Sequence, residues 1–306
     1  MPKHGATLHI AESSKVQRPV ETVISALNHR HADSVPLGEL FIGSDFLDYH
    51  FPGRKGEPIE QLQQAAPSLG LSLVGVELNS EKSRLLLSNN SYKELQEYFL
   101  TGYINGPVSR LIEKYGFKKA MLSTKNDPSL FSYISAELAK DVENKARLAR
   151  ANGFSAIVLA DDIAGKNGLL FSSGYFVDTV LPVYRQIAGA IKAEGLYAFI
   201  HSDGDMRKVI DLIAEAGYDC LHPVDAQAGL DLPALQKEFG EKINFMGHID
   251  ILGWDETRIS SETKLAEENS VNGGLILGST GGLSMGISED KLCLLYPRWK
   301  EREHQR

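Results

Sequence analysis

The chain is short of cysteine, of positive charge and of long apolar runs, and each shortage removes a class of protein. Two cysteines, Cys220 and Cys293, among 306 residues leave no disulfide framework and no Cys-x-x-Cys pair, so a reduced, cytoplasmic setting is expected. Lys and Arg number 32 against 40 Asp and Glu, a formal charge of -8. A nucleic-acid or anionic-membrane surface needs clustered positive charge, so neither partner is expected. No segment approaches the roughly 20 apolar residues of a membrane span. The first residues, with Lys3, His4, Glu12, Lys15 and Arg18 among them, contain no apolar stretch of a secretory leader. No Gly-x-Gly-x-x-Gly follows an early apolar run, which argues against an open dinucleotide-binding sheet.

What the chain does contain is a series of short apolar runs, each ending in titratable side chains. Tyr197-Ala198-Phe199-Ile200 runs into His201-Ser202-Asp203, and Ala156 to Ala160 stops at Asp161-Asp162. Cys220-Leu221-His222-Pro223-Val224 stops at Asp225, and Ile243 to Gly247 stops at His248-Ile249-Asp250. Apolar strands that deliver such groups at their C-terminal ends are what a parallel barrel builds around an active site.

Counting supports that architecture. Strands are expected over residues 35–42, 71–78, 98–104, 155–160, 197–201, 220–224, 243–247 and 274–278, with 120–124 as a competing third strand. Helices are expected over 128–150, with Asp127 as N-cap and Pro128 in the first turn, and over 177–193, 206–216, 232–239 and 257–269. Eight strands alternating with helices imply parallel pairing and closure. Residues 1–20 are expected to form a flexible segment and 21–306 a single barrel. With 42% apolar and 24% charged residues, the composition is that of a globular protein with a full core.

Several motifs also fall in a known order. Asp161-Asp162, Ser172-Ser173-Gly174-Tyr175-Phe176 with Leu181-Pro182, His201-Ser202-Asp203-Gly204, Ala216-Gly217-Tyr218-Asp219, Gly247-His248-Ile249-Asp250 and Gly273-Gly274-Leu275-Ile276-Leu277 follow one another at family spacing. On these residues the stretch from about 154 to 287 resembles the uroporphyrinogen decarboxylase superfamily, which includes corrinoid- and coenzyme M-linked methyltransferases. The resemblance implies a (β/α)8 TIM barrel with its site at the strand C-termini.

Departures from the family pattern narrow the chemistry. True decarboxylases carry an arginine-rich motif on the first strand and a histidine near the eighth. Here those places read Gly38-Glu39-Leu40-Phe41-Ile42-Gly43 and Leu277-Gly278-Ser279-Thr280-Gly281-Gly282. A polyanionic porphyrinogen needs guanidinium and ammonium groups, whereas this mouth is expected to gather Glu39, Glu77, Asp161, Asp162, Asp203, Asp205, Asp225 and Asp250. The methyltransferase branches bind zinc through His-x-Cys after strand five and a cysteine after strand eight. Here His201-Ser202-Asp203 keeps the histidine and replaces the thiolate with a carboxylate, and no cysteine stands near Thr280 or Gly281.

His201 and Asp203, at i and i+2, can enter one cavity, and with Glu77, Asp162 or His222 they would suit zinc. A metal-free polar site and simple helix capping remain open for the same pair. Of the adjacent Asp161 and Asp162, at most one can face inward, and Asp162 is the candidate acid/base or substrate anchor. His222 is the candidate proton donor, and Glu39, ending in the barrel interior or mouth where a carboxylate needs a partner, is a further catalytic candidate. Ser279, Thr280 and Gly281 could cradle a cofactor's phosphate or carboxylate with backbone N–H groups. The expected function is a corrinoid-dependent methyltransferase, such as an O-demethylase component. It would move a methyl group from a small methoxylated or methylated substrate to a corrinoid (cobalamin) protein. A decarboxylase-like enzyme acting on a smaller carboxylate is the alternative. A non-catalytic binding barrel would instead have its pocket filled.

Overall fold

Strands form here where apolar residues occupy both faces. In Leu73–Glu77, Ala156–Ala160 and Tyr197–His201 nearly every residue is buried, as in parallel strands covered on both sides. The computed structural model describes residues 17–30, 34–52 and 58–303. Its main sheet has eight strands in chain order: Gly38–Glu39, Leu73–Glu77, Phe99–Asn105, Ala156–Ala160, Tyr197–His201, Cys220–His222, Asn244–Ile249 and Leu275–Ser279. Every neighbouring pair is parallel. The first and eighth strands meet at a parallel bridge between Leu37 and Leu277, where Leu277 N–H donates to Pro36 O at 2.9 Å. The sheet therefore closes as a (β/α)8 barrel.

The interior is packed. Leu40, Leu73, Phe99, Ala156, Val158, Phe199, Cys220, Met246 and Ile276 form one buried cluster with Val23 and Leu27 of the helix Pro19–Leu27. That helix is tied to strand starts: Val20 N–H donates to Glu97 O, Gly274 N–H to Ala26 O and Asn244 Nδ2 to Leu27 O. It plugs the N-terminal end of the barrel and leaves the C-terminal end as the mouth. A second, larger cluster lies between the strands and the surrounding helices. No helix among the described residues is long and apolar enough to cross a membrane.

Several boundaries differ from the sequence expectation. The first strand shrinks to two regular residues, because Leu37 and Ile42 pair only through single bridges to Leu277 and Leu283. Residues 120–124 lie inside the helix Phe117–Asn126. The sixth strand stops at His222, since Pro223 has no N–H for the ladder. Pro128, not Asp127, holds the N-cap position of the helix Ser129–Ala151, and Asp127 accepts a hydrogen bond from Ser129 Oγ instead. Residues 1–16 of the expected flexible segment lie outside the described residues, and the first helix already begins at Pro19.

Glu39 is the main correction. Leu40 faces the barrel interior, so strand alternation turns Glu39 to the opposite face, towards the helices. There its carboxylate accepts Ser279 N–H at 2.6 Å, Ser279 Oγ–H at 2.7 Å and the Tyr296 hydroxyl. It belongs to the barrel seam and has no access to a substrate in the mouth. Burial pushes its pKa up to about 7, against the pull of these hydrogen bonds.

A pH dependence follows. Below pH 4.5 both folded and unfolded chains hold the Glu39 proton; between 4.5 and about 7 only the folded chain does. Stability attributable to this group is therefore complete at low pH and is lost as pH rises through 7, by about 3 kcal/mol in all. Urea denaturation of the parent and Glu39→Gln at several pH values should show the slope in the parent and a shallower one in the variant, where Asp161 and Asp203 still titrate with raised pKa values.

Candidate functional site

The fourth strand ends in two carboxylates with opposite surroundings. Asp161 is fully buried and faces the helices, where it accepts the N–H groups of Ser109 (2.6 Å) and Val108 (3.2 Å) and the Tyr184 hydroxyl (2.7 Å). It anchors the start of the helix Pro107–Tyr115. The approach is so close that a Cβ on Gly106 would lie 2.3 Å from the Asp161 side chain. Burial raises its pKa to about 6 in spite of those donors. Asp162, one residue on, faces the mouth with a side chain 55% exposed.

The fifth and sixth strands bring two imidazoles together. Cross-strand register pairs His201 with His222, and their Nδ1 atoms lie 2.8 Å apart. His222 Nε2 lies 3.4 Å from the carbonyl oxygen of Ser279. Phe41 packs edge-on against both rings, with centroid distances of 4.9 and 5.9 Å, and against Tyr103 at 4.9 Å. These aromatic side chains floor the mouth above the packed interior. Tyr103 shares a strand face with the inward Phe99, which was the available signal, whereas Phe41 directly follows the inward Leu40 and nothing local marks it.

His222 is buried, and both its nitrogens face protein atoms. It therefore has no path for donating a proton to a substrate in the mouth, and the role expected from the sequence is corrected. Its ring is held neutral by burial and by the neighbouring His201.

His201 Nε2 points towards the mouth, 3.6 Å from Asp162 Oδ1. One ligand-type atom from each of Asp162, His201 and Asp203 lies within 4.8 Å of the others. The Asp203 N–H also donates to Asp162 Oδ1 at 3.0 Å. Among the described residues no Lys or Arg is hydrogen-bonded to either carboxylate. Burial, then Asp162 and Asp225, raise the Asp203 pKa to about 6. Burial lowers that of His201 to about 4, against the attraction of Asp162. Three electron-pair donors thus converge without a compensating cation.

Two carboxylates and an imidazole fit a divalent cation, zinc included, with a further position open to the mouth. The 3.6 Å between His201 Nε2 and Asp162 Oδ1 is close to the roughly 3.4 Å expected between ligand atoms on a tetrahedral ion with bonds of about 2.1 Å.

Other candidate residues stand apart from this group. Glu77 accepts the N–H groups of Asn79 and Ser80 and so caps the loop after the second strand. It lines a largely apolar cavity of about 240 Å³ with Ile42, Leu47, Val76, Tyr92 and Tyr103, and does not join the three ligand atoms. The amide cradle expected at Ser279, Thr280 and Gly281 does not form as such. Ser279 N–H donates to Glu39 and Thr280 N–H to Ile249 O at 2.9 Å, so two of the three amides are taken by the barrel itself. Thr280 and Gly281 instead line a cavity of about 420 Å³ with Asp203, Asp225, Gln227 and Asp250. Asp225 and Asp250 are held by local N–H donors and by Gln227 Nε2.

A family model described as uroporphyrinogen decarboxylase (URO-D) matches residues 89–299. No curated protein matches the sequence. Among solved structures, a methyltransferase from Methanosarcina mazei superposes with a TM-score of 0.74 at 14% identity, covering 94% of this chain and 99% of that one. An L-ribulose 3-epimerase follows with a TM-score of 0.57 at 11% identity, covering 90% and 94%. A sugar phosphate isomerase/epimerase from Parabacteroides distasonis gives 0.53 at 12% identity, covering 85% and 96%. At these identities the likeness is one of fold.

The two adjacent aspartates should separate experimentally. Asp161→Ala leaves one buried and one part-buried N–H group and a buried hydroxyl unpaired and should cost about 3 kcal/mol of stability. Asp162→Ala should change stability by less than about 0.5 kcal/mol. Urea denaturation of the two variants checks both values.

Proposed function

The chain belongs to the uroporphyrinogen decarboxylase family, and from that premise we propose that it is a methyltransferase. It would take a methyl group from a small methoxylated or methylated substrate and pass it to a corrinoid carried by a partner protein. The observation that carries this reading is the convergence of Asp162, His201 and Asp203 on one point of the mouth. The overall likeness to the Methanosarcina methyltransferase is in keeping with it.

The residues have distinct tasks. Asp162, His201 and Asp203 would hold zinc; when bound, zinc supplies Lewis acidity to the oxygen or nitrogen from which the methyl group departs. Asp162 and Asp203 lie exposed at the rim, where a large acceptor can approach. Phe41 and Tyr103 present an apolar floor that favours a methyl-bearing group over a charged one. In such a transfer the carbon–oxygen or carbon–nitrogen bond would break, the leaving atom would keep the electron pair and take a proton from solvent, and the methyl group would pass to the reduced corrinoid of the partner as acceptor.

The donor set also bears on the kind of transfer. Thiolates make zinc electron-rich and suited to activating a thiol, whereas carboxylates leave it a harder Lewis acid. That difference favours a component that removes methyl groups from oxygen or nitrogen. Porphyrinogen decarboxylation is disfavoured because Asp162, Asp203, Asp225 and Asp250 would oppose a polyanion. The same field opposes the alternative of decarboxylating a smaller carboxylate.

Purified protein should bind one zinc per chain by calorimetry and elemental analysis. His201→Ala should abolish that binding, and Asp162→Asn and Asp203→Asn should each weaken it by roughly tenfold or more. With cob(I)alamin as a surrogate acceptor and a panel of methoxylated and methylated compounds, a methylcobalamin absorbance should develop and be lost in His201→Ala. Transfer that persists in His201→Ala, or no transfer with any compound, would count against the proposal.

A further inference from the structure

His222 has no access to the mouth, yet it touches His201, whose imidazole does. Its surroundings leave few options. The Phe41 ring covers it edge-on at 5.9 Å, and Gly247 (φ 87°) lies so close that a Cβ there would sit 3.3 Å from its Cδ2 and Nε2. Among the described residues only two polar partners reach the ring, the Ser279 carbonyl oxygen on Nε2 and His201 Nδ1 on Nδ1. We infer that His222, together with the Ser279 carbonyl, is a positioning device that holds His201 in the tautomer protonated at Nδ1, so that a bare Nε2 faces Asp162 and Asp203.

The assignment follows from which atoms can donate. A carbonyl oxygen only accepts, so the proton of neutral His222 sits on Nε2. Its Nδ1 is then an acceptor, and the 2.8 Å contact requires the proton on His201 Nδ1. Neutral His201 has one ring proton, so its Nε2 carries a free electron pair. The opposite arrangement would set a bare His222 Nε2 against the Ser279 oxygen, two acceptors facing each other in a buried place. Its only gain would be a proton on the buried His201 Nε2 directed at the half-exposed carboxylate of Asp162, 3.6 Å away and beyond hydrogen-bond reach. The loss of a buried hydrogen bond outweighs a contact too long to be one.

A histidine that donates from one nitrogen and is fixed by that bond is a better-oriented ligand through the other. The inference rests on the proposed metal site for its purpose, and on the ring contacts alone for its geometry. Two readouts keep these apart. The first is the ring ¹⁵N spectrum of His201 in metal-free protein near neutral pH, assigned by loss of its signals in His201→Asn. A protonated Nδ1 with a bare Nε2 is expected. His222→Leu should move the proton towards Nε2 and weaken zinc binding about tenfold. His222→Gln, whose amide can accept from His201 and donate to Ser279, should restore both the tautomer and most of the affinity.

A proton on His201 Nε2 in the parent protein would overturn the inference. So would an unchanged tautomer in His222→Leu, or, where that variant fails to fold, a Gln variant with the proton on Nε2. The expected tautomer in a parent protein that binds no zinc would support the positioning role and remove the metal from the proposed function.

Discussion

Ser279 joins the closing of the barrel to the state of the site. Its N–H and hydroxyl both donate to Glu39, which closes the seam between the last strand and the first. Its carbonyl oxygen faces His222, whose other nitrogen meets His201. Buried backbone groups need partners, and here those partners are the residues that decide closure and tautomer. The position of the eighth strand against the first therefore controls which nitrogen of His201 is bare. A shift of one residue in that register would put Ser279 on the other face and break both connections.

A common pattern governs the polar residues at the strand ends. Those facing the helices are satisfied inside the protein: Glu39 by Ser279 and Tyr296, Asp161 by two amides and Tyr184, and Ser202 by Ile163 N–H and Asp203 O. Those facing the mouth, Asp162, His201 and Asp203, are left with unfilled acceptor capacity. The division has an energetic cause. An outward polar group is sealed by the helical layer and costs free energy unless paired. An inward one at the rim can be met by water or by a ligand, so it is free to stay reactive. The outer set holds the inner set in place, and the adjacent pair Asp161-Asp162 shows both roles one peptide bond apart.

Much of the frame could be read in the sequence because its periodicity is strong. Eight apolar runs, four of them stopping at titratable groups, appear as eight parallel strands in the same order. Facing could not be read so well. The first strand is buried on both sides, so Leu40 and Phe41 next to Glu39 give no sign of which face is inward. The His201–His222 contact depends on cross-strand register between positions 21 apart, which no local pattern encodes. The Ser-Thr-Gly-Gly run after the eighth strand looks like a ligand-binding turn. Register instead places Ser279 in the strand, where its donors are already engaged.

The seventh strand shows how backbone conformation can override alternation. Gly247 and His248 both have positive φ, 87° and 112°, a conformation that is uncommon for a residue with a side chain. This bend sends the His248 ring to Glu262 on the helix Glu256–Asn269, at 3.0 Å, beside Trp254. It also places Gly247 against His222, where any side chain would crowd the ring. One local distortion thus withdraws a histidine from the mouth and makes room for the histidine that supports His201. The seventh strand contributes space to the site, and the chemistry stays on the fourth and fifth.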